Sequence, residues 1–316
     1  MNRRKISIIG AGNVGATIAY TLTINGTVNE IALVDINRER ARGEAMDILH
    51  GTPCSHEVNI YSGDYAAIAG SSIVVLAAGV GRKPGQTRID LAQTNVNIMK
   101  GVISEVVKYA SDAIIVVVSN PVDVITYLVA KASGLPEQKI IGSGTILDTA
   151  RLRSQLAERV GVHSKNIHAY VLGEHGDTSI IPWSLASIAG MPFQQYMEKY
   201  IDADKKLTQT ELDGILKEMR TSGAKVIGAK GATFYAIAMA VNRLCESILR
   251  DTNTIMTVST MLHGQCGAED VCVSLPAVVG INGVARTLEV PFSPQEREGF
   301  LASANAMKEI IKSLSI

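Results

Sequence analysis

Aromatic residues are scarce in this chain of 316 residues: one Trp, four Phe and nine Tyr, or 4% of the total. So few ring faces disfavour a stacking platform for single-stranded nucleic acid. Neither sign of charge dominates, because 30 Lys and Arg stand against 30 Asp and Glu, with no basic block among them. A polyanionic partner is therefore not expected. Long apolar runs are also missing. The longest, such as 73–80, extend for about eight residues, against the roughly 20 that cross a bilayer. The basic start Met1-Asn2-Arg3-Arg4-Lys5 leads into an apolar stretch that stops at Gly10, too short for a signal-peptide core. A soluble, cytoplasmic protein with no membrane or nucleic-acid partner is the expectation. Cysteine is sparse too. Cys54, Cys245, Cys266 and Cys272 make no C-x-x-C pair and have no His at zinc-finger distance. No metal site is expected, and the four read as reduced side chains in or near the core.

Apolar residues, at 47%, are plentiful enough for a sizeable core, and a chain of this length suggests two domains. The first half alternates short β-branched runs (Lys5–Ile9, 31–35, 58–61, 73–78, 114–118 and 139–141) with helical patterns. Over 91–110, Ile98, Met99, Val102, Ile103, Val106, Val107 and Ala110 follow an i, i+3, i+4 stripe. Such alternation predicts a doubly wound parallel sheet with right-handed crossovers, helices on both faces and ligands at the carboxyl ends of the strands. After about residue 143 the rhythm changes. A helix over 147–160 leads to a strand at 167–171, and runs at 255–262, 271–275 and 284–288 are joined by short turns that suggest antiparallel pairing. Helices over 233–250 and 294–314 would cover them. The expected fold is α/β, with an N-terminal Rossmann-type domain over 1–143 and a mixed α+β substrate domain over 144–316.

Gly10-Ala11-Gly12-Asn13-Val14-Gly15 matches G-x-G-x-x-G. The pattern is weak alone, but here it follows a strand, opens a helix, and is followed twenty residues after Gly15 by an acid, Asp35. Gly10 suits the tight turn, Gly12 the approach of a pyrophosphate, and Gly15 the packing of helix on strand. Asp35 would accept from both ribose hydroxyls and repel a 2′-phosphate, which favours NAD; Arg38 nearby leaves NADP as the alternative.

His175 lies in Gly173-Glu174-His175-Gly176-Asp177, just past an expected strand. Flanking glycines suggest a ring presented to a cleft. Hydride reduction of a ketone needs a proton for the developing alkoxide, and imidazolium is the group that cycles near neutral pH. Asp148 and Arg151 share one helical face at i and i+3. The Asp would orient His175 and the Arg would clamp a substrate carboxylate, although a solvated ion pair accounts for the same two residues. The segment 79–88 carries glycines, Pro84 and charges suited to a lid, from which Arg88 could reach a reacting carbonyl. Asn120, in Ser119-Asn120-Pro121, could donate to substrate as well.

These motifs, in this order and spread over essentially the whole chain, resemble the lactate/malate dehydrogenase family. The resemblance rests on the glycine fingerprint, the lid ending in Arg88, Ser119-Asn120-Pro121-Val122-Asp123, Leu147-Asp148-Thr149-Ala150-Arg151 and Gly173-Glu174-His175-Gly176-Asp177. It implies His175 as acid/base, Asp148 as its partner, Arg151 as carboxylate clamp, Arg88 as carbonyl polariser and Asn120 as a substrate donor. It further implies nicotinamide contacts from Ser143 and Ile237, and a tetramer for lactate-type chains. Thr233, Ile237 and Arg88-Ile89-Asp90-Leu91 look lactate-like, whereas Arg82 stands where lactate enzymes have Gln and malate enzymes Arg. An unpaired buried guanidinium would cost about 3–5 kcal/mol, or two to four decades of specificity. Malate/oxaloacetate on a lactate-type scaffold is therefore the expectation, with pyruvate/L-lactate as the alternative. Arg153 and His168 match positions where bacterial lactate enzymes bind fructose 1,6-bisphosphate, though an exposed helix Arg and a strand-start His would look the same. A non-catalytic NAD sensor would need the fingerprint but not His175, Asp148, Arg151 and Arg88, and a flavoprotein would give no reason for the His–Asp pair.

Overall fold

A computed structural model of the chain describes residues 4–81 and 87–316, except the side chain of Arg88. The elements run β1 (Lys5–Ile9), α1 (Asn13–Ile24), β2 (Glu30–Val34), α2 (Arg38–Gly51), β3 (Asn59–Ser62), β4 (Ile73–Leu76), α3 (Arg88–Ala110), β5 (Ile114–Val117), α4 (Val122–Ala132) and β6 (Ile140–Gly142). Then follow α5 (Ile146–Val160), β7 (Ile167–His168), β8 (Ser187–Ile188), β9 (Met191–Pro192), α6 (Phe193–Tyr200), α7 (Gln209–Lys230) and α8 (Tyr235–Leu249). The chain finishes with β10 (Thr254–His263), β11 (Glu269–Gly280), β12 (Gly283–Thr287) and α9 (Pro294–Lys312).

Nine strands form one sheet in the order β12-β11-β10-β6-β5-β4-β1-β2-β3. The six from β3 to β6 are parallel, and their order reverses between β1 and β4. That reversal opens a crevice at the carboxyl ends of these two strands. The fully buried β1, β4 and β5 explain the unbroken apolar runs of the sequence, since helices cover both faces. Alternate side chains divide between two cores. Ile6, Ile8, Ile73 and Val75 pack under α1 and α8, while Ile9, Val74, Leu76 and Ile115 pack under α3 and α4.

β7, β8 and β9 form a small antiparallel sheet of their own, whereas the antiparallel strands β10–β12 do not make a separate sheet. β10 continues the parallel one through a single pairing, Ser259 with Gly142. The expected strand over 167–171 shortens to two residues, because the chain leaves the ladder to run toward the His175 loop. Both α6 and α7 go beyond the elements expected from sequence, and their buried residues close a third core with α5. Three cysteines are buried as expected, but Cys54 is exposed on a short turn after α2. Among the described residues, no helix is long and apolar enough to cross a membrane.

Candidate active site

The crevice between β1 and β4 is floored by glycines, two of which leave no room for a side chain. Gly10 adopts φ +104°, and a Cβ there would lie 2.5 Å from the backbone N of Ala78. A Cβ on Gly15 would sit 1.8 Å from the carbonyl oxygen of Gly10. The opposite holds at Gly12, where a Cβ would meet no atom within 4 Å. Gly12 caps α1 with no side-chain hydrogen bond, so the amides of the first turn, around Asn13 and Val14, are left for a ligand. Asp35 stands just past β2. Its Oδ2 accepts from the Ala11 amide at 2.6 Å and its Oδ1 from the Asn37 amide at 2.8 Å, which fixes the carboxylate at the rim while leaving further lone pairs. A free helix N-terminus above an open glycine, with an acid at the next strand end, fits a dinucleotide. Ser143 is buried at the end of β6, its amide donating to Val117. Ile237, on α8, packs half-buried on the same core as Val14 and Ile146.

Asp148 joins the two groups expected beside it. Its Oδ2 lies 2.5 Å from His175 Nδ1, and its Oδ1 accepts from Arg151 Nη1 at 3.0 Å. The carboxylate side chain is only 7% exposed and that of Arg151 18%. This is not the solvated ion pair that the helix alone allowed. Burial pushes the Asp148 carboxyl up, but the His175 and Arg151 charges outweigh it and hold the group below the usual range. Burial likewise disfavours a charged His175, yet Asp148, with help from the charge of Asp123, raises the ring to about 9. With Nδ1 committed to Asp148, Nε2 is the nitrogen left to carry a proton to and from the cleft.

Threonines set the pair in place. Thr145 Oγ1 donates to the Val171 carbonyl at 2.5 Å, and Thr149 Oγ1 accepts from the Val171 amide at 3.0 Å. Together they fasten α5 to the segment entering the His175 loop. Gly173 pairs with Ser274 of β11 through both backbone hydrogen bonds, 2.9 and 2.8 Å. Ser303 of α9 accepts from the Glu174 amide at 2.8 Å, and Glu174 in turn accepts from the Thr178 hydroxyl.

The remaining site residues are placed less tightly. Asn120 is exposed at the end of β5, and its carbonyl accepts from Asn95 Nδ2 at 2.7 Å. Asn95 Oδ1 also accepts from the Val80 amide at 2.9 Å, which ties the stem of the expected lid to Asn120. Thr233 is half-buried in the connection from α7 to α8. Arg82 lies outside the described residues; the backbone of Arg88 opens α3, and its side chain is likewise outside. Arg153 turns inward, its Nε donating to the Ala169 carbonyl at 3.0 Å and its guanidinium 5.3 Å over the Tyr170 ring. It lines a cavity of about 580 Å³ with Lys165 and Arg243. His168 is exposed on β7 and does not line it.

Asp123, Asn95 and Ser303 carry no site role in the sequence reading. Asp123 falls inside one of the motifs quoted above, a signal that was present but had no partner to interpret it. Nothing marked the other two.

Comparison with known proteins matches residues 4–142 to the family model "lactate/malate dehydrogenase, NAD binding domain" and 145–315 to "lactate/malate dehydrogenase, alpha/beta C-terminal domain". The chain is 48% identical to L-lactate dehydrogenase of Acetivibrio thermocellus, covering 99% of this chain and 98% of that one. It is 46% identical to L-lactate dehydrogenase of Thermoanaerobacterium saccharolyticum, over 99% of both. Among solved structures, the ligand-bound minor L-lactate dehydrogenase of Enterococcus mundtii superposes with a TM-score of 0.95 at 38% identity, over 99% of each chain.

Proposed function

The chain belongs to the lactate/malate dehydrogenase family, and within it we propose an L-lactate dehydrogenase that interconverts pyruvate and L-lactate. It is an NAD-dependent oxidoreductase acting on a small 2-hydroxy acid, and its cofactor is NAD. One observation carries the choice of substrate. Relatives 44–48% identical over 96–99% of this chain bear the name L-lactate dehydrogenase. The malate expectation rested on Arg82 alone; it finds no support among these relatives and gives way to its alternative. The test compares NADH consumption with pyruvate and with oxaloacetate, in the native chain and in Arg82→Gln. Preference for pyruvate by tenfold or more is expected; a native preference for oxaloacetate would overturn the reading.

The mechanism follows from what each residue holds. We infer that residues 1–143 bind the dinucleotide and 144–316 carry most of the substrate contacts. Gly10, Gly12, Asn13, Val14 and Gly15 would seat the pyrophosphate on the α1 N-terminus, and Asp35 the ribose, with Ser143 and Ile237 near the nicotinamide. When bound, NAD supplies the hydride acceptor or donor. Arg151, steadied by Asp148 through Nη1, turns its other N–H groups to the substrate carboxylate. His175 holds a proton at Nε2 for the carbonyl oxygen, and the Asp148 bond keeps the ring in that tautomer. Arg88 polarises the carbonyl and Asn120 donates to it, while Thr233 borders the substrate methyl.

We expect a homo-oligomer, a tetramer in keeping with lactate-type chains. Apolar side chains stand exposed on neighbouring helices, among them Tyr20 on α1, Met46 and Leu49 on α2, and Tyr235 and Met239 on α8, the last 66% exposed. Sedimentation velocity decides this: a monomer at micromolar concentration would rule the assembly out. The cavity lined by Arg153, Lys165 and Arg243 offers the cations a sugar bisphosphate effector needs, with His168 near its edge in sequence only. Unchanged kinetics and unchanged oligomer size with fructose 1,6-bisphosphate would retire that role.

A further inference from the structure

We propose that Asp123 is a second positioning residue for His175, holding its loop through a main-chain hydrogen bond and lending its imidazolium a second negative charge. The proposal rests on His175 being the proton carrier. Asp123 sits in the first turn of α4, 52 residues from His175 in sequence, with only 2% of its surface exposed. Its Oδ2 accepts from the His175 amide at 2.7 Å. A hydrogen bond from an amide to a buried carboxylate fixes that peptide plane, and with it the direction in which the ring leaves the backbone.

The charge has a separate consequence. The ring feels the charge of two acids. Asp148 on α5 meets Nδ1 directly, whereas Asp123 meets the backbone and reaches the ring only through its field. Other groups face this corner. Arg151 on α5 opposes a proton on His175, while Glu174 on the loop and Cys272 on β11 are coupled to Asp123. Burial pushes the Asp123 carboxyl up to about 6, partly offset by the Ser259 hydroxyl of β10 and the His175 amide. Above that pH the carboxylate is ionised and strengthens proton binding by the ring; below it the support fades.

Asp123→Asn separates the two contributions, because the amide oxygen can still accept from the His175 amide while the charge is gone. The reading is the alkaline fall of kcat/KM for pyruvate reduction, which follows loss of the His175 proton. In Asp123→Asn this fall is expected on the order of one pH unit lower than in the native chain. A fall at the native pH, in a variant that binds NADH normally, overturns the proposal, since a purely structural Asp would leave it there. Should Asp123→Asn not fold, the native protein labelled with ¹⁵N-histidine decides. The His175 ring resonance, assigned by its loss in His175→Gln, is expected to show a minor inflection near the Asp123 titration before its main one. A single inflection overturns the proposal. A native chain inactive on every 2-oxo acid defeats the proton-carrier reading itself, which an active chain with an unmoved pH profile does not.

Discussion

At the scale of single residues, Asp148 serves two cations with two oxygens, so its variants separate orientation from clamping. Asp148→Asn would keep the size but lose the charge that raises the His175 pKa. We expect kcat for pyruvate reduction to fall by about 10²–10⁴-fold, as when the acid partner of a catalytic His is neutralised elsewhere. Stopped-flow NADH oxidation measures it, and a loss below about threefold would mean the ring holds its orientation unaided. Arg151→Lys keeps the charge and loses the fork. The KM for pyruvate should rise by roughly 10-fold or more, with NADH affinity unaltered. The pH dependence has a definite sign. Because the folded His175 pKa is raised from 6.5 to about 9, reduction persists to about that pH and then falls, while lactate oxidation rises. The same shift stabilises the fold fully below 6.5, and that share is lost as pH climbs through about 9. Native Tm should therefore drop over that window more than the Tm of His175→Gln. Equal slopes in the two proteins would show that the ring titrates near its ordinary value.

Elements bring the glycine pair into contrast. Gly15→Ala would drive a Cβ to 1.8 Å from the Gly10 carbonyl, two backbone segments that cannot yield. A loss of about 1–3 kcal/mol in stability is expected, read from urea unfolding. Gly12→Ala meets no protein atom within 4 Å and has an ordinary φ of −73°. Its stability should stay within about 0.5 kcal/mol while NADH binding, followed by fluorescence, weakens about tenfold. Loss of stability there instead would show the cradle to be filled by the protein itself. These glycines were legible because their context, strand before and helix after, is local. The buried strands were legible for the same reason. α7 was not. Only Leu212, Ile215 and Met219 of its 22 residues are buried, and Gly214, Gly223 and Gly228 interrupt its helical preference. Nor could the sequence show that β10 joins β6, since one pairing between Ser259 and Gly142 spans more than a hundred residues. Within the site, types and spacing suggested His175, Asp148 and Arg151 but left a solvated ion pair open for the last two, and the family resemblance brought the three together. Asp123, Asn95 and Ser303 could not, because a buried polar residue reveals its purpose only through a partner distant in sequence.

For the whole molecule, the arrangement puts two tasks on one sheet while keeping their supports apart. The glycine cradle is built from β1, α1 and β2, near the start of the chain. The His175 loop is strapped from the other side, by Asp148 on α5, Asp123 on α4, Ser274 on β11 and Ser303 on α9. Ser303 is fully buried, accepts from the Glu174 amide at 2.8 Å and shares a hydrogen bond of 2.9 Å with Thr178. Removing its hydroxyl would strand a half-buried amide, which costs about 1–3 kcal/mol at most and loosens the loop proposed to deliver the proton. Ser303→Ala should accordingly lower kcat by about tenfold, since misplacing a proton donor slightly weakens transfer more than binding. NADH affinity should stay within about twofold, because no part of the cradle touches α9 through this contact. The measurement is a pair, steady-state kcat with pyruvate and NADH titration on the same sample. A parallel collapse of both would mean the two halves respond as one body, with the C-terminal helix holding the cofactor site as firmly as the loop. A fall in kcat alone would show that the far end of the chain aims the histidine proposed as proton carrier and leaves the dinucleotide to the near end.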